Sequence, residues 1–188
     1  FDMTSQQYAF NDNAVKNGIV EHGMIYGPNG GGKSNLGLAM VDPVLHLIDS
    51  SYNHPNLNLE DNYLNGGVDV ALAEFVFEFY FEGVNVEYRY GKKSLRELVY
   101  ETLLIDDEEI IAIDRRESNH ASISLQRAKH LKKDVGDSKI SLLKYVHNNT
   151  LSEDSATDKA FGALFDFIEG MVFFRSLSSA RAGEYIGK

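Results

Sequence analysis

One segment of the sequence has the residue types and spacing to hold phosphate groups. Residues 27–34 read GPNGGGKS and match the pattern G-x-x-x-x-G-K-[ST]. Consecutive glycines let a loop turn tightly and point its backbone N–H groups at an anion without obstruction by a Cβ. Lys33 can reach the β- and γ-phosphates, and the Ser34 hydroxyl can ligate Mg²⁺. The segment therefore predicts a binding loop for a nucleoside triphosphate and Mg²⁺.

Such a loop requires a strand before it and a helix after it, whose N-terminus then faces the phosphates. Residues 18–26 end in three apolar residues and predict a buried strand. Residues 33–48 predict a helix, because apolar side chains recur there at helical spacing. Those side chains are Leu36, Met40, Val44 and Leu47. Pro43 lacks a backbone N–H, so we expect this helix to kink or break after Met40.

The central part of the chain predicts an antiparallel meander with one wet face. Between residues 74 and 82, phenylalanines alternate with glutamates or other residues in a strict period of two. Gly83 offers a turn into a second alternating strand, 84–90, and two further apolar runs follow at 98–105 and 110–113. The alternation favours burial of four phenylalanines in the sheet core over a base-stacking platform. These are Phe75, Phe77, Phe79 and Phe81.

The last third of the chain is helical in character. Two segments, 138–146 and 159–174, carry apolar stripes that we interpret as core packing. The stripe residues are Ile140, Leu143 and Val146 in the first segment, and Phe161, Leu164, Phe165, Ile168 and Val172 in the second. We therefore divide the chain into a strand–loop–helix core over 1–50, an antiparallel β arm over 51–116 and a helical segment over 117–188.

Composition excludes several classes of function. The 18 Lys and Arg against 28 Asp and Glu give a formal net charge of −10, which argues against a general nucleic-acid coat. The absence of cysteine removes disulfide frameworks, thiolate metal sites and thiol nucleophiles. No apolar run approaches the roughly 20 residues that span a bilayer. We expect a cytoplasmic chain with no membrane contact, whose visible start at Phe1 is a truncation.

The run GPNGGGKSNL resembles the Walker A motif of ABC-type ATPases of the SMC, RecF and OLD branch, in which G-x-N-x-[SG]-G-K-S-N-L is usual. Asn29, Ser34, Asn35 and Leu36 all match that form. Less specific patterns over about residues 18–175 follow the order of elements along the chain in this family, which is a strand pair, an E-x-L strand and a further hairpin. The chain is most similar to the OLD-like, AAA-type ATPases of bacterial phage-defence and abortive-infection systems.

This resemblance implies an α/β fold: the N-terminal half of an ABC-type P-loop NTPase head, with an antiparallel β arm and a helical segment. It implies ATP and Mg²⁺ as cofactors, Lys33 as the catalytic residue and Ser34 as the metal ligand. It also implies homo-oligomers formed through the heads, and an effector protein such as a nuclease that the nucleotide state controls. The nucleotide-binding residues carried over from the motif are Asn29, Gly30, Gly31, Gly32, Lys33, Ser34 and Asn35.

The chain also departs from the family. No LSGGQ-like signature is present in the sequence. Residues 176–179 read SLSS and resemble the signature only weakly, because they lack its glycines. We therefore expect the signature, the catalytic Walker B and the switch histidine to lie further along a longer protein. Any DNA contact is expected from missing residues, from a partner or from a small basic patch, and not from this acidic chain as a whole. The patch comprises Arg127, Lys129, His130, Lys132 and Lys133, for which a solvated face is the other interpretation.

Some alternatives remain open at this stage. Residues 103–108 read LLIDDE, which resembles a Walker B, but the apolar run that follows favours a hairpin turn. Tyr8 or Phe10 could stack on adenine, although packing is the simpler role. The histidines are scattered and suggest no metal site. The chain could also be a nucleotide-dependent sensor with little turnover or, as a third hypothesis, a self-contained kinase or GTPase that uses Asp106.

Overall fold

The structure, a computed structural model, describes residues 14–16, 18–48, 63–64, 66–67, 69–136, 138–151, 154–175 and 184–186. The chain divides into two compact units, Phe1–Ala39 and Met40–Lys188. The Asn-rich, polar stretch over 49–67 lies mostly outside the described residues. None of the helices in the described ranges is long and apolar enough to cross a membrane.

The first unit contains a short hairpin and a helix. Strands β1 (Val15–Lys16) and β2 (Ile19–Val20) pair antiparallel, and Gly18 between them has a φ of 78°. Helix α1 (Lys33–Met40) begins directly after the glycine-rich loop, as predicted.

The prediction of a buried strand that ends at residues 24–26 is wrong. Residues 23–28 form no strand, and the side chains of Met24 and Tyr26 are 75% and 82% exposed. A buried parallel strand needs neighbours that satisfy its backbone N–H and C=O groups and layers that cover both faces. Among the described residues of this unit, no strand pairs with residues 23–28.

The predicted interruption of the following helix is confirmed. Residues 41–43 form a turn after α1, and a second short helix, α2 (Val44–Leu47), follows it. Pro43 has a φ of −58° at the N-terminal cap of α2, where a missing N–H costs nothing. Proline therefore ends one helix and starts the next.

The second unit is built on an antiparallel sheet of five strands, and the predicted meander is confirmed. Each strand pairs antiparallel with the next one along the chain. The strands are β3 (Ala73–Phe81), β4 (Val84–Ser94), β5 (Glu97–Ile105), β6 (Glu108–Asp114) and β7 (Ser122–Ile123). Together with the helices they make a mixed α/β chain whose main sheet is antiparallel.

One face of this sheet is covered by helices. A 3₁₀ turn (Gln126–Ala128) follows β7, and helices α3 (Leu142–Asn149) and α4 (Ala156–Glu169) pack with α2 on that face. Ser141 and Ser155 cap α3 and α4, each accepting from the backbone N–H three residues later. A two-stranded hairpin, β8 (Phe173–Arg175) with β9 (Glu184–Ile186), follows α4.

The predicted apolar stripes are confirmed in part. Leu143 and Val146 of α3 are buried, and so are the four apolar residues that α4 contributes. Those four are Phe161, Leu164, Phe165 and Ile168. Ile140 and Val172 are exposed instead, because each lies outside the helix that its spacing suggested. Helical periodicity does not by itself fix where a helix starts or ends.

Candidate functional site

The glycine-rich loop starts with a tight turn. The Gly31 N–H donates to the carbonyl of Pro28 at 3.1 Å, which closes four residues, and Gly30 takes a φ of 81°. That φ suits the third position of a type II turn, where glycine is strongly preferred. A Cβ on Gly31 would lie 3.0 Å from the Pro28 carbonyl oxygen, closer than ordinary contacts. The backbone conformation at Gly30 therefore favours glycine, and the turn leaves little room for a side chain at Gly31.

The loop passes directly into α1 through the third glycine. Gly32 has a φ of 85°, and its carbonyl accepts from the Leu36 N–H at 2.9 Å, which forms the first turn of the helix. The first N–H groups of a helix lack intrahelical partners and carry partial positive charge. No acidic residue occupies the first turn of α1 to compete for them. The end of the loop is therefore suited to an anion.

The Lys33 side chain folds back over the loop. Its ammonium donates to the carbonyls of Gly27 at 2.8 Å and Pro28 at 2.7 Å. These contacts hold a positive charge beside the glycine turn, with one of the three ammonium N–H groups left over. A phosphate in the loop would therefore meet both backbone donors and a fixed cation.

The remaining motif side chains are accessible. Asn29, Ser34 and Asn35 are exposed, and the Ser34 hydroxyl has no hydrogen-bond partner within the described ranges. A free hydroxyl after the lysine suits one ligand position on Mg²⁺. Among the described residues, no group of three or more His, Asp or Glu side chains is placed to hold a metal ion.

The acidic run after β5 is a turn. Asp106 and Asp107 have φ values of 48° and 64° and connect β5 to the antiparallel strand β6. The Asp106 carboxylate accepts from the Asn85 N–H, and the Asp106 N–H donates to the Asn85 carbonyl, both at 2.9 Å. The preference for a turn over a Walker B is confirmed, and a kinase or GTPase role for Asp106 loses its structural basis.

The predicted basic patch separates into two parts. Arg127 is buried, with Nε 2.8 Å from Asp158 Oδ1 and its guanidinium 4.7 Å from the Phe161 ring centre. This contact attaches the 3₁₀ turn to α4. Lys129, His130, Lys132 and Lys133 are exposed. The other candidates, Tyr8, Phe10 and residues 176–179, lie outside the described residues.

The structure also brings together a buried polar cluster that the sequence analysis missed. Lys92 Nζ lies 2.7 Å from Asp42 Oδ2, and both side chains are buried. The same carboxylate accepts from the hydroxyls of Tyr90 at 2.8 Å and Tyr63 at 2.9 Å. Burial lowers the pKa of Lys92, and Asp42 opposes that shift. The cluster fixes the turn before α2 on the sheet.

A second carboxylate extends this cluster towards α3. Glu101 accepts from the Ser141 hydroxyl at 2.7 Å and from the Leu142 N–H, and burial raises its pKa against these contacts. Tyr88 donates to Glu101 at 3.3 Å and lies 2.9 Å from His46 Nε2. His46 Nδ1 is 3.9 Å from Asp42, too far for a hydrogen bond. Burial, followed by the nearby Lys92 charge, lowers the pKa of His46 well below 6.5.

A signal for this cluster exists in the sequence. Lys92 continues the alternation of Val86, Tyr88 and Tyr90, and it therefore falls on the buried face of β4. Glu101 stands two residues before Leu103 on the buried face of β5. A charge within an apolar alternation indicates a buried ion that needs a partner. The sequence does not reveal that the partner of Lys92 is Asp42, fifty residues away.

None of the protein-family models, curated proteins or solved structures compared with this chain matches it.

Proposed function

We propose that residues 27–34 bind the phosphates of ATP together with Mg²⁺, and that the chain belongs to an ABC-like P-loop ATPase. The observation that carries this proposal is the local geometry of the loop. Glycines at positive φ lie on both sides of Gly31, the Lys33 ammonium lies across the loop carbonyls, and α1 begins at Lys33. A turn, a cation and a helix N-terminus in this order favour a polyphosphate ligand.

The roles of the residues follow from their chemistry. The backbone N–H groups of Gly30, Gly32, Lys33 and Ser34 would hold the phosphate oxygens, and Lys33 would neutralise charge on the β- and γ-phosphates. The Ser34 hydroxyl would provide one protein ligand to Mg²⁺, and Asn29 and Asn35 would border the bound phosphates. When bound, Mg²⁺ polarises the phosphate oxygens and offsets the charge that develops during transfer. Binding and orienting the triphosphate are thus the tasks of this loop.

Hydrolysis and its consequences form the second part of the proposal. By resemblance, two heads associate around ATP, and the nucleotide state controls an effector such as a nuclease. This would take place in bacterial phage defence or in DNA transactions. The positive charge at the loop and the free Ser34 hydroxyl support the nucleotide step.

A nucleotide sensor with little turnover is a second candidate. It is favoured by a loop whose described groups, the Lys33 ammonium, the N-terminus of α1 and the Ser34 hydroxyl, all serve binding. ATPase rate measured against protein concentration separates the two functions. A rate that rises more than linearly indicates paired heads, whereas tight binding without turnover indicates a sensor.

Lys33→Ala tests the proposal directly. We expect this variant to lose Mg²⁺-dependent ATP binding in isothermal titration calorimetry, and any ATPase activity with it. Lys132→Ala is the matched control, because Lys132 is an exposed lysine in a loop of the second unit. Unchanged ATP affinity in Lys33→Ala, with both variants folded by circular dichroism, would refute a phosphate-binding role for the loop.

A further inference from the structure

The strand β3 (Ala73–Phe81) forms one edge of the five-stranded sheet, and no strand among the described residues pairs with its outer side. Its register with β4 runs through nine consecutive pairs without a bulge. Proteins commonly protect such an edge with a bulge, a proline, a lysine or a very short strand. β3 has no bulge, proline or lysine and is nine residues long, and its charged side chains are Glu74 and Glu78, whereas β7 at the other edge is only two residues long.

The helix-side face of β3 keeps an apolar surface next to this edge. Its four phenylalanines are half-buried and stack in sequence, with successive ring centres 6.4, 6.1 and 5.6 Å apart. Phe167 of α4 covers the far end of this ladder, 5.4 Å from Phe79, and is itself half exposed. A strand added to the edge would bury apolar area that the helices leave open.

The opposite face of β3 is acidic. Glu74 and Glu78 alternate there with Val76 and Tyr80, which are 60% and 62% exposed, and Glu82 follows in the turn. Glu78 faces Glu87 across the strand pair and makes no hydrogen bond or ion pair within the described part of the chain. Like charges directly opposite each other are destabilising. Glu87 is itself paired with Arg89 of β4, and Glu74 accepts from the Tyr100 hydroxyl at 2.9 Å. Among the described residues, Glu78 is therefore the carboxylate of β3 whose charge no neighbouring cation offsets.

We propose that the β3 edge binds an extended segment of a partner protein in which basic and apolar residues alternate. Main-chain hydrogen bonds to the outer edge of β3, which no described strand pairs with, would hold the segment, and its side chains would point alternately to the two faces. The apolar set would cover the phenylalanine ladder, and the Lys or Arg set would face Glu74, Glu78 and Glu82. The two faces of one strand thus specify both halves of the partner's pattern.

A second copy of this chain fits the edge less well. An antiparallel pair of β3 strands would place phenylalanines together on one face, which is favourable. It would also gather the glutamates of both copies on the other face, with no basic residue of β3 to offset them. Charge complementarity therefore favours a basic partner over self-association.

The experiment uses the full 188-residue chain and labelled nine-residue peptides. The first peptide alternates lysine and valine, the second alternates glutamate and valine, and the third has the lysines and valines of the first in two separate blocks. In fluorescence anisotropy we expect the alternating lysine peptide to bind roughly tenfold more tightly than either control. Hydrogen exchange should slow at the amides of residues 73–81 when it binds. Equal affinities, or protection elsewhere in the chain, would overturn the proposal.

Charge reversal on the edge provides the matched variants. Glu78→Lys should weaken binding of the alternating lysine peptide roughly tenfold and leave the melting temperature unchanged or higher, because it also removes the Glu78–Glu87 repulsion. Glu117→Lys, at an exposed position after β6, should leave binding unchanged. Equal weakening by both variants would indicate an unspecific charge effect and refute the site. A dimer in sedimentation, with residues 73–81 protected in the absence of peptide, would identify a second copy as the occupant and also refute it.

Discussion

The Lys92 ammonium and the Asp42 carboxylate form an ion pair of 2.7 Å in which both side chains are buried. Lys92 lies on β4, whereas Asp42 lies in the turn between α1 and α2. Two tyrosine hydroxyls complete the environment of the carboxylate. The pair thus connects the start of α2 to the inner strand β4 of the sheet, and its effect on the free energy of unfolding can be measured.

Removing one partner of this pair should be costly. We expect Asp42→Asn to lower the free energy of unfolding by about 3–5 kcal/mol, because the Lys92 ammonium then stays buried without a counter-charge. Urea unfolding followed by circular dichroism measures the change. The double variant Asp42→Asn/Lys92→Met should be less destabilised than the single one, since no ion remains buried. A single variant as stable as the wild type would contradict a buried ion pair.

Acid should destabilise the second unit through His46. Burial holds the pKa of His46 well below 6.5, so below about pH 6.5 the unfolded chain binds a proton that the folded chain does not. The free energy of unfolding should therefore fall as the pH decreases through that value. His46→Gln should show a shallower decrease between pH 7 and pH 5.5 in urea titrations. The raised pKa of Glu101 by itself makes the free energy of unfolding rise as the pH decreases. Because Glu101 is present in both the wild type and the variant, it does not account for a difference between them. Parallel pH profiles of the two proteins would mean that His46 binds a proton as readily in the folded chain as in the unfolded chain.

The glycines of the loop should differ in their tolerance of a side chain. Gly32→Ala forces a Cβ into a φ of 85°, which costs about 1–2 kcal/mol and should weaken Mg²⁺–ATP binding roughly tenfold. Gly27→Ala should bind nearly as the wild type does, because its Cβ would meet only the Lys33 stem, at 3.9 Å. Calorimetric titration of both variants tests this order. The reverse order would mean that the bound loop abandons this backbone conformation.

The acidic turn between β5 and β6 should matter for stability and not for nucleotide chemistry. Asp106→Ala removes the hydrogen bond from the Asn85 N–H and should lower the free energy of unfolding by about 1 kcal/mol. Its ATP affinity and ATPase rate should equal those of the wild type. A large loss of ATPase activity in a folded Asp106→Ala protein would restore the Walker B interpretation.

Local patterns predicted a large part of this molecule. The strict alternation of β3, the glycine between β3 and β4 and the position of Pro43 are short-range signals, and each predicted element is present. The loop of residues 27–34 was also recognisable, because its glycines and Lys33 act within eight residues of chain. The prediction fails where strand formation depends on a neighbouring strand. Residues 24–26 are apolar, yet no described strand pairs with them.

The sequence by itself determined the glycine-rich loop before α1, the meander and the turn character of Asp106. Only the tertiary structure decided which charges are buried together and which apolar faces stay open. Arg127 belongs to a run of basic residues in the sequence but pairs with Asp158 in the fold. Lys92 meets Asp42 across fifty residues, and the ladder of β3 stays half-buried because β3 is the outermost strand. Burial and pairing depend on contacts between residues far apart in the chain, which periodicity and local spacing do not encode.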